Sequence, residues 1–378
     1  MAKKVRILSL DGGGIRGIIP ASVLQYVEQK LIEYSNNPNA RIADYFDMIV
    51  GTSTGGILGC FYMMPNPKRF ESGNPSAKYP ATEALKLYVE KGDAIFNQSK
   101  KNNWFGLRQL VNATQFTPDN IEAIFKEKFG DIMFDQLLGR LIITTYDMQT
   151  QRSFFFNSRE QKEIDRKERK FMVRDVARST SAAPTYFPPA IIRNFGNNSE
   201  MVNIDGGVFA NNPTMCAYAE ARSTNFENLG LNRPSAKDMM ILSIGTGSQN
   251  LDLKNYQKAG NWGALNWAKT IPDIMMDGGL DTVNYQVGLM FDTLTDGNNK
   301  NYKRVDVPKN LRGLGEGATT IYNSDMSDAS QKNIQSLVRA GQEAIKDANT
   351  TKDNEHTLDD FIKLLVDENS LNPKDIPV

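Results

Sequence analysis

Histidine is almost absent from this sequence, which has one, His356, among 378 residues. Any catalytic mechanism that requires a histidine therefore has a single candidate. Cysteine is also scarce: Cys60 and Cys216 are too few for a disulfide framework, and both lie in apolar surroundings typical of reduced thiols. No His, Cys or Asp residues have the spacing of metal ligands, so we predict no metal and no other cofactor.

The chain also lacks an excess of charge and a long hydrophobic run. Lys and Arg together number 44, as do Asp and Glu, so the net charge is zero and a broad electrostatic surface for nucleic acid is not expected. No segment has the length needed to cross a bilayer, and the apolar stretch 7–10 is too short for a signal-peptide core. We expect a cytoplasmic protein, with peripheral contact to membranes left open.

The order of strands, glycine-rich turns and helices predicts the fold class. Val5–Leu10 and Met48–Val50 have the pattern of buried strands, and each precedes a glycine-rich turn and a helix. Two such units in succession indicate a parallel sheet covered by helices. We predict a three-layer α/β/α core with a mostly parallel central sheet over residues 5–250, a sheet-edge or cap region over 251–325 and a C-terminal helical segment over 326–378. Further strands are predicted at Leu141–Tyr146, Ser153–Phe156, Met201–Ile204 and Met239–Ile244.

A candidate nucleophile follows the second predicted strand. Gly51-Thr52-Ser53-Thr54-Gly55 has the G-x-S-x-G form, in which the chain turns sharply from strand to helix and projects the serine hydroxyl. The helix that begins there would point its positive dipole end at the site. Small residues also cluster in turns for packing reasons alone, so the motif by itself leaves both interpretations open.

A second glycine-rich turn, residues 11–17, follows the first predicted strand. Its residues Gly12, Gly13 and Gly14 offer unhindered backbone N–H groups, which are the usual donors of an oxyanion hole. Arg16 would either anchor this loop or contact a phosphate head group. The turn is therefore the predicted site of transition-state stabilisation.

The same turn matches a different motif. Gly12, Gly14 and Gly17 have the G-x-G-x-x-G spacing of a dinucleotide-binding loop. That function needs an acidic residue at the end of the next strand to bind the ribose. Here Asp47 precedes the next strand and Gly51 follows it, so nucleotide binding is the weaker interpretation.

Asp205 is the predicted partner of Ser53. It follows the strand 201–204 and precedes Gly206-Gly207, so it can reach a neighbouring turn at the same edge of the sheet. Taken alone, the motif is better explained by a hydrogen-bonded turn aspartate. A second Asp-Gly-Gly, at 277–279, follows a helical pattern and is a weaker candidate.

The blocks DGGGIRG, GTSTGG and DGGVFANNP, in this order, resemble the patatin-like phospholipase family. The segment 177–188, ARSTSAAPTYFP, fits the family pattern too. The resemblance implies a Ser–Asp dyad on a three-layer α/β/α fold, with Ser53 as nucleophile, Asp205 as proton acceptor and the amides of Gly12 to Gly14 as the oxyanion hole. The implied activity is hydrolysis of fatty-acyl esters of glycerolipids, with a lipid or membrane surface as the partner.

Two alternatives remain open on the sequence. An α/β-hydrolase triad of Ser53, Asp205 and His356 has the required chain order, but His356 lies in a polar stretch before the capping-box pattern Thr357-x-x-Asp360. A catalytically weak lipid-binding protein could keep the same fold. The apolar candidates for lipid access, most of which we expect to be ordinary packing residues, are Trp104, Phe105, Trp262, Leu265, Trp267, Met275, Met276, Leu289, Met290 and Phe291.

Overall fold

A mostly parallel β-sheet organises the fold. The computed structural model describes residues 3–67, 76–96, 114–159, 169–247, 263–294, 300–312, 319–350 and 356–371. The strands are β1 (Val5–Leu10), β2 (Met48–Thr52), β3 (Arg140–Asp147), β4 (Arg152–Asn157), β5 (Ala190–Arg193), β6 (Glu200–Asp205), β7 (Asn225–Phe226), β8 (Leu231–Asn232), β9 (Met239–Ile244) and β10 (Tyr302–Val305). The main sheet has the order β10-β9-β1-β2-β3-β6-β5, and β4 also pairs with β3.

Strand direction is uniform over five strands of this sheet and reverses at β6 and again at β5. The five strands β10, β9, β1, β2 and β3 are parallel, whereas β4 and β6 run antiparallel to β3 and β5 runs antiparallel to β6. The short strands β7 and β8 form a separate antiparallel pair. The sheet is therefore mixed but mostly parallel, as predicted.

Helices cover both faces of the sheet. They are α1 (Ile18–Ser35), α2 (Ile42–Tyr45), α3 (Thr54–Met63), α4 (Ala81–Phe96), α5 (Asp119–Phe129), α6 (Val173–Thr180), α7 (Gly207–Ala210), α8 (Thr214–Ser223), α9 (Ala264–Leu294), α10 (Gln331–Ala348) and α11 (Leu358–Leu371). Leu8 and Leu10 of β1 join the core formed with α1, α3 and α10, whereas Val5 and Ile7 join the core formed with α8 and α9. Successive side chains of a strand point to opposite faces, so each strand supplies both cores. The result is the predicted three-layer α/β/α fold.

Two strands meet end to end along one edge of β3. Residues 142–144 of β3 pair with both β2 and β4, and residues 145–147 pair with both β4 and β6. A strand has only two edges, so β2 and β6 share the edge opposite β4. Their carboxyl ends face each other, with Thr52 opposite Thr144 and Asp205 opposite Thr145. This junction brings the residues that follow β2 next to the last residue of β6.

Most predicted strands and helices are confirmed, with bounds that differ by one or two residues. The edge strands β5 and β10 were missed, since both are only four residues long and neither has the alternation of apolar and polar residues that predicts a strand. The second Asp-Gly-Gly, at 277–279, lies inside α9 and is not a strand-end turn. Trp104, Phe105 and Trp262 lie outside the described residues, and the division at residues 250 and 325 stays a prediction. Among the described helices, none is both long and apolar enough to span a bilayer.

Candidate active site

Ser53 occupies the turn between β2 and α3. Its backbone has φ 54° and ψ −123°, a conformation that non-glycine residues rarely adopt and that costs about 1–3 kcal/mol. The Ser53 amide donates to Thr180 Oγ1 at 2.8 Å, and that hydroxyl donates to the carbonyl of Thr144 at 2.7 Å. The end of α6 therefore holds the strained turn against β3.

The glycines that flank Ser53 permit a close approach between α3 and the sheet. A Cβ at Gly55 would collide with the backbone carbonyl of Leu10 at the end of β1. A Cβ at Gly51 would lie 2.5 Å from the backbone of Gly55. The G-x-S-x-G spacing thus lets the N-terminus of α3 contact the ends of β1 and β2, which fits the predicted strand-to-helix turn.

Asp205 ends β6 and lies beside Ser53 at the junction of β2 and β6. Its carboxyl is buried, and burial raises its pKa from 3.8 to about 7. Two hydrogen bonds oppose that rise: one from the Ser53 side chain and one from the Gly207 amide, which lies 2.7 Å from Asp205 Oδ1. No cation is among the causes of this shift. A carboxylate that has lost its water without gaining a cation is a better proton acceptor than an exposed aspartate.

The glycine loop after β1 presents two of the three predicted donors. The Gly13 and Gly14 amides have no hydrogen-bond partner among the described residues, whereas the Gly12 amide donates to the Asn211 carbonyl at 3.0 Å. The Gly12 N–H is therefore engaged with the backbone in this structure, and its role as an oxyanion donor stays a prediction. Gly14 has φ +59°, and a Cβ there would collide with the carbonyl of Met326. We restrict the candidate oxyanion donors to Gly13 and Gly14.

Arg16 is a loop anchor. Its side chain is only 2% exposed, with Nε donating to the Gly13 carbonyl at 3.3 Å and Nη1 donating to the Gly247 carbonyl at 3.2 Å. These two bonds hold the loop, so the structure supports the anchor among the two predicted roles. The contact with a phosphate head group stays a prediction.

His356 lies away from the junction of β2 and β6. Its carbonyl accepts a bond from Lys303 Nζ at 2.6 Å, which places it beside the edge strand β10. Strand β10 is three strands from β2, a separation of about 14 Å. The predicted capping box is present: the Asp360 amide donates to Thr357 Oγ1 at 3.0 Å, and the Thr357 amide donates to Asp360 Oδ2 at 3.2 Å. The alternative triad of Ser53, Asp205 and His356 is therefore not brought together.

Two polar residues that hold the site were not predicted from the sequence. Thr180 bonds the Ser53 amide, and Arg304 forms an ion pair with Asp11, the first residue of the glycine loop. No motif marked either of them as a partner of the loop or the turn, although Thr180 lies in the segment 177–188. Across the described residues, no group of three His, Cys, Asp or Glu side chains is placed to hold a metal ion.

Comparison with known proteins places this site in a family. Residues 8–218 match the family described as patatin-like phospholipase. The chain is 32% identical to patatin-like protein 2 of Oryza sativa subsp. indica over 93% of this chain and 85% of that protein. The chain belongs to the patatin-like phospholipase family. It is likewise 32% identical to patatin-17 of Solanum cardiophyllum and patatin group M-2 of Solanum tuberosum, each over 98% of this chain and 92% of the relative.

Membership of the patatin-like phospholipase family confirms the resemblance seen in the three glycine-rich blocks. The matched span contains the glycine loop, Ser53 and Asp205, whereas Arg304 and α9 lie beyond its end at residue 218. Parts of the structure that surround the candidate site therefore lie beyond the span that the family model matches.

The environment of Asp205 has a consequence for stability. Since its folded-state pKa is raised, the free energy of unfolding falls as pH rises from about 4 to about 7, where the carboxyl ionises in the unfolded chain but resists ionisation in the folded one. Asp205→Asn lacks this cost and keeps an acceptor for the Gly207 amide. We expect the variant to exceed the wild type in stability at pH 8 by up to about 4 kcal/mol, and to match it near pH 4. Denaturant unfolding at both pH values measures the difference.

A buried carboxyl with the opposite shift supplies the control. Burial raises the pKa of Asp306, but the charges of Arg304 and Arg312 outweigh it, so its pKa is lowered overall. Asp306→Asn should therefore be less stable than the wild type at pH 8. Equal stability of the Asp205→Asn variant and the wild type at pH 8 would contradict the raised pKa.

Proposed function

We propose that this protein is a lipid acyl hydrolase that cleaves fatty-acyl ester bonds of phospholipids or related glycerolipids. Its family is described as patatin-like phospholipase, which supports this class of reaction. The observation that carries the proposal is the contact between Ser53, in a strained turn, and Asp205, a buried carboxyl whose pKa is raised to about 7. A base is most effective when its pKa is close to the working pH.

The first half of the reaction is acylation of Ser53. Its Oγ attacks the ester carbonyl carbon while Asp205 accepts the hydroxyl proton. The carbonyl oxygen gains negative charge, which the Gly13 and Gly14 amides and the N-terminus of α3 stabilise. Each such donor contributes about 3–4 kcal/mol to transition-state stabilisation. The C–O bond then breaks, and the leaving alcohol takes the proton from Asp205.

The second half returns Ser53 to its free state. Asp205 accepts a proton from water as the water oxygen attacks the acyl carbon. The same two amides bind the oxyanion again, since it forms at the same carbonyl oxygen. The Ser53–acyl bond breaks, Ser53 regains a proton from Asp205, and the fatty acid leaves. One carboxyl therefore serves both halves without a histidine.

Three substitutions test the dyad. Ser53→Ala and Asp205→Asn should each lower kcat for a chromogenic fatty-acyl ester by about 10³-fold or more. The first removes the hydroxyl that attacks the ester, and the second removes the carboxylate that accepts its proton. His356→Ala is the control and should keep wild-type activity. A fluorophosphonate probe should label the wild type at Ser53 and leave Ser53→Ala unlabelled. Loss of activity in His356→Ala would favour the triad, and a wild type without labelling would favour a lipid-binding protein.

The pH dependence of activity follows from Asp205. Below its pKa the carboxyl is protonated and cannot accept the Ser53 proton, so kcat/KM should rise with pH and reach half its plateau near pH 7. The measurement is kcat/KM for a soluble ester between pH 5 and 9, where the ester itself does not titrate. A plateau that persists down to pH 5 is the contrary result, since it would require a base with an ordinary carboxyl pKa.

An apolar surface beside the dyad supports a lipid substrate. Helix α7 follows Asp205 directly, and its Val208 and Phe209 are exposed. Helix α9 packs on α7, with Met276 Sδ 3.6 Å from the position that a Cβ of Gly207 would occupy. Four exposed apolar residues of α9 share one helix face at i, i+4, i+7 and i+8 spacing, and we name them the α9 stripe: Trp267, Ile271, Ile274 and Met275. We propose that the stripe contacts the lipid surface from which the substrate is drawn.

Replacing apolar residues of the α9 stripe with charged residues tests whether the stripe contacts lipid. Ile271→Glu combined with Met275→Glu should lower hydrolysis of phosphatidylcholine vesicles by about tenfold, because two charged groups would oppose contact with the bilayer. Turnover of a soluble short-chain ester should stay at the wild-type rate. Ile191→Glu, at an exposed position on the edge strand β5, is the matched control and should leave both rates unchanged. Equal loss on both substrates would point to damage of the dyad and not of lipid contact.

A further inference from the structure

A cluster of buried charges lies at the carboxyl end of β1, outside the dyad. Arg304 of β10 contacts both oxygens of Asp11: Nη2 lies 2.6 Å from Oδ2 and Nη1 lies 3.1 Å from Oδ1. Nη1 also donates to Ser243 Oγ at 2.8 Å, and Nη2 to Asp306 Oδ2 at 3.0 Å. One guanidinium therefore joins β10, β9 and the residue immediately before Gly12.

The same cluster reaches the other side of the glycine loop. Asp306 Oδ1 accepts the Gly247 amide at 2.9 Å, and the Gly247 carbonyl accepts Arg16 Nη1 at 3.2 Å. Arg16 Nε in turn donates to the Gly13 carbonyl at 3.3 Å. Arg304 is thus linked to the loop at Asp11 directly and at Gly13 through Asp306, Gly247 and Arg16. The Gly13 carbonyl and the Gly14 N–H belong to the same planar peptide group. Bonds that fix the carbonyl therefore also orient this N–H, a candidate oxyanion donor.

A second buried ion pair, at the opposite end of β1, provides a comparison for the bonds between Arg304 and the glycine loop. Arg6 contacts Asp47 through Nε at 2.9 Å and Nη2 at 2.7 Å, and it holds β1 to the residue before β2. That pair has no bond to the glycine loop. Buried ion pairs contribute little to net stability because desolvation offsets the attraction, although losing one partner is costly. The position of Arg304 at the glycine loop is therefore better explained by orientation of the loop than by stability alone.

We propose that Arg304 is a positioning residue that sets the orientation of the Gly13 and Gly14 amides toward the oxyanion, acting through Asp11 and Asp306. This inference rests on the proposed function, in which those amides stabilise the transition state. A bidentate guanidinium suits the task, because its planar fork fixes the carboxylate in two directions, whereas an ammonium fixes only a distance. A donor misplaced by about 1 Å loses about 100-fold in rate.

The test compares Arg304→Gln and Arg304→Lys with the wild type on a soluble ester. Arg304→Gln should lower kcat and kcat/KM together by about 10- to 100-fold per folded molecule, with KM changed by no more than about twofold, because the lost interaction forms only in the transition state. Arg304→Lys should recover part of that loss, since it restores the charge without the fork. A role in stability alone would lower the folded fraction and leave kcat per folded molecule unchanged.

Arg6→Gln is the matched control. It breaks the buried pair at the other end of β1 and should lower the denaturation midpoint while keeping kcat within about twofold of the wild type. Wild-type kcat in Arg304→Gln, with Ser53→Ala inactive, would overturn the positioning role and leave the proposed function intact. An inactive wild type without fluorophosphonate labelling would instead overturn the proposed function. If Arg304→Gln does not fold, Arg304→Lys decides, and wild-type kcat there overturns the inference.

Discussion

The burial of the Asp205 carboxyl beside the Ser53 hydroxyl is the interaction on which the site depends. It arises because β2 and β6 share one edge of β3 and meet with their carboxyl ends facing each other. Burial there raises the pKa of Asp205 to about 7, and the only interactions that lower it are hydrogen bonds from Ser53 and Gly207. A carboxyl that ordinarily is a weak base thereby gains a proton affinity close to that of histidine.

Three carboxyls at the carboxyl ends of β1, β6 and β10 differ in what they contact. Asp11 and Asp306 are bound by Arg304, and their charges serve to hold backbone segments in place. Asp205 has no cation among the groups that shift its pKa. The contacts of Arg304 therefore distinguish these two carboxyls from Asp205, the one that we propose accepts a proton. Moving a cation next to Asp205 would stabilise its charged form and weaken it as a base.

The strain at Ser53 is sustained by its surroundings and not by its own sequence. A non-glycine residue at φ 54° is unfavourable, but the bond that the Ser53 amide donates to Thr180 and the close approach of Gly55 to the Leu10 carbonyl hold the turn in this conformation. Glycine is therefore required at positions 51 and 55, because a side chain at either one would prevent the close packing of α3 on the sheet. Ser53 is held where its hydroxyl faces Asp205, and the free amides of Gly13 and Gly14 belong to the adjoining loop after β1.

The sequence alone determined the fold class, the family, and the identity of Ser53 and Asp205 as the candidate pair. Strand-turn-helix patterns and glycine spacings are local properties, so they can be recognised in short blocks such as GTSTGG without knowledge of the tertiary structure. Only the tertiary structure decided which glycine amides are free, since the Gly12 amide is bonded to Asn211, a residue about 200 positions away that no local pattern connects to it. The same holds for Thr180, Arg304 and the exclusion of His356 from the site. Hydrogen bonds and burial between distant segments depend on how strands are ordered in the sheet, and that order is not a property of any one segment.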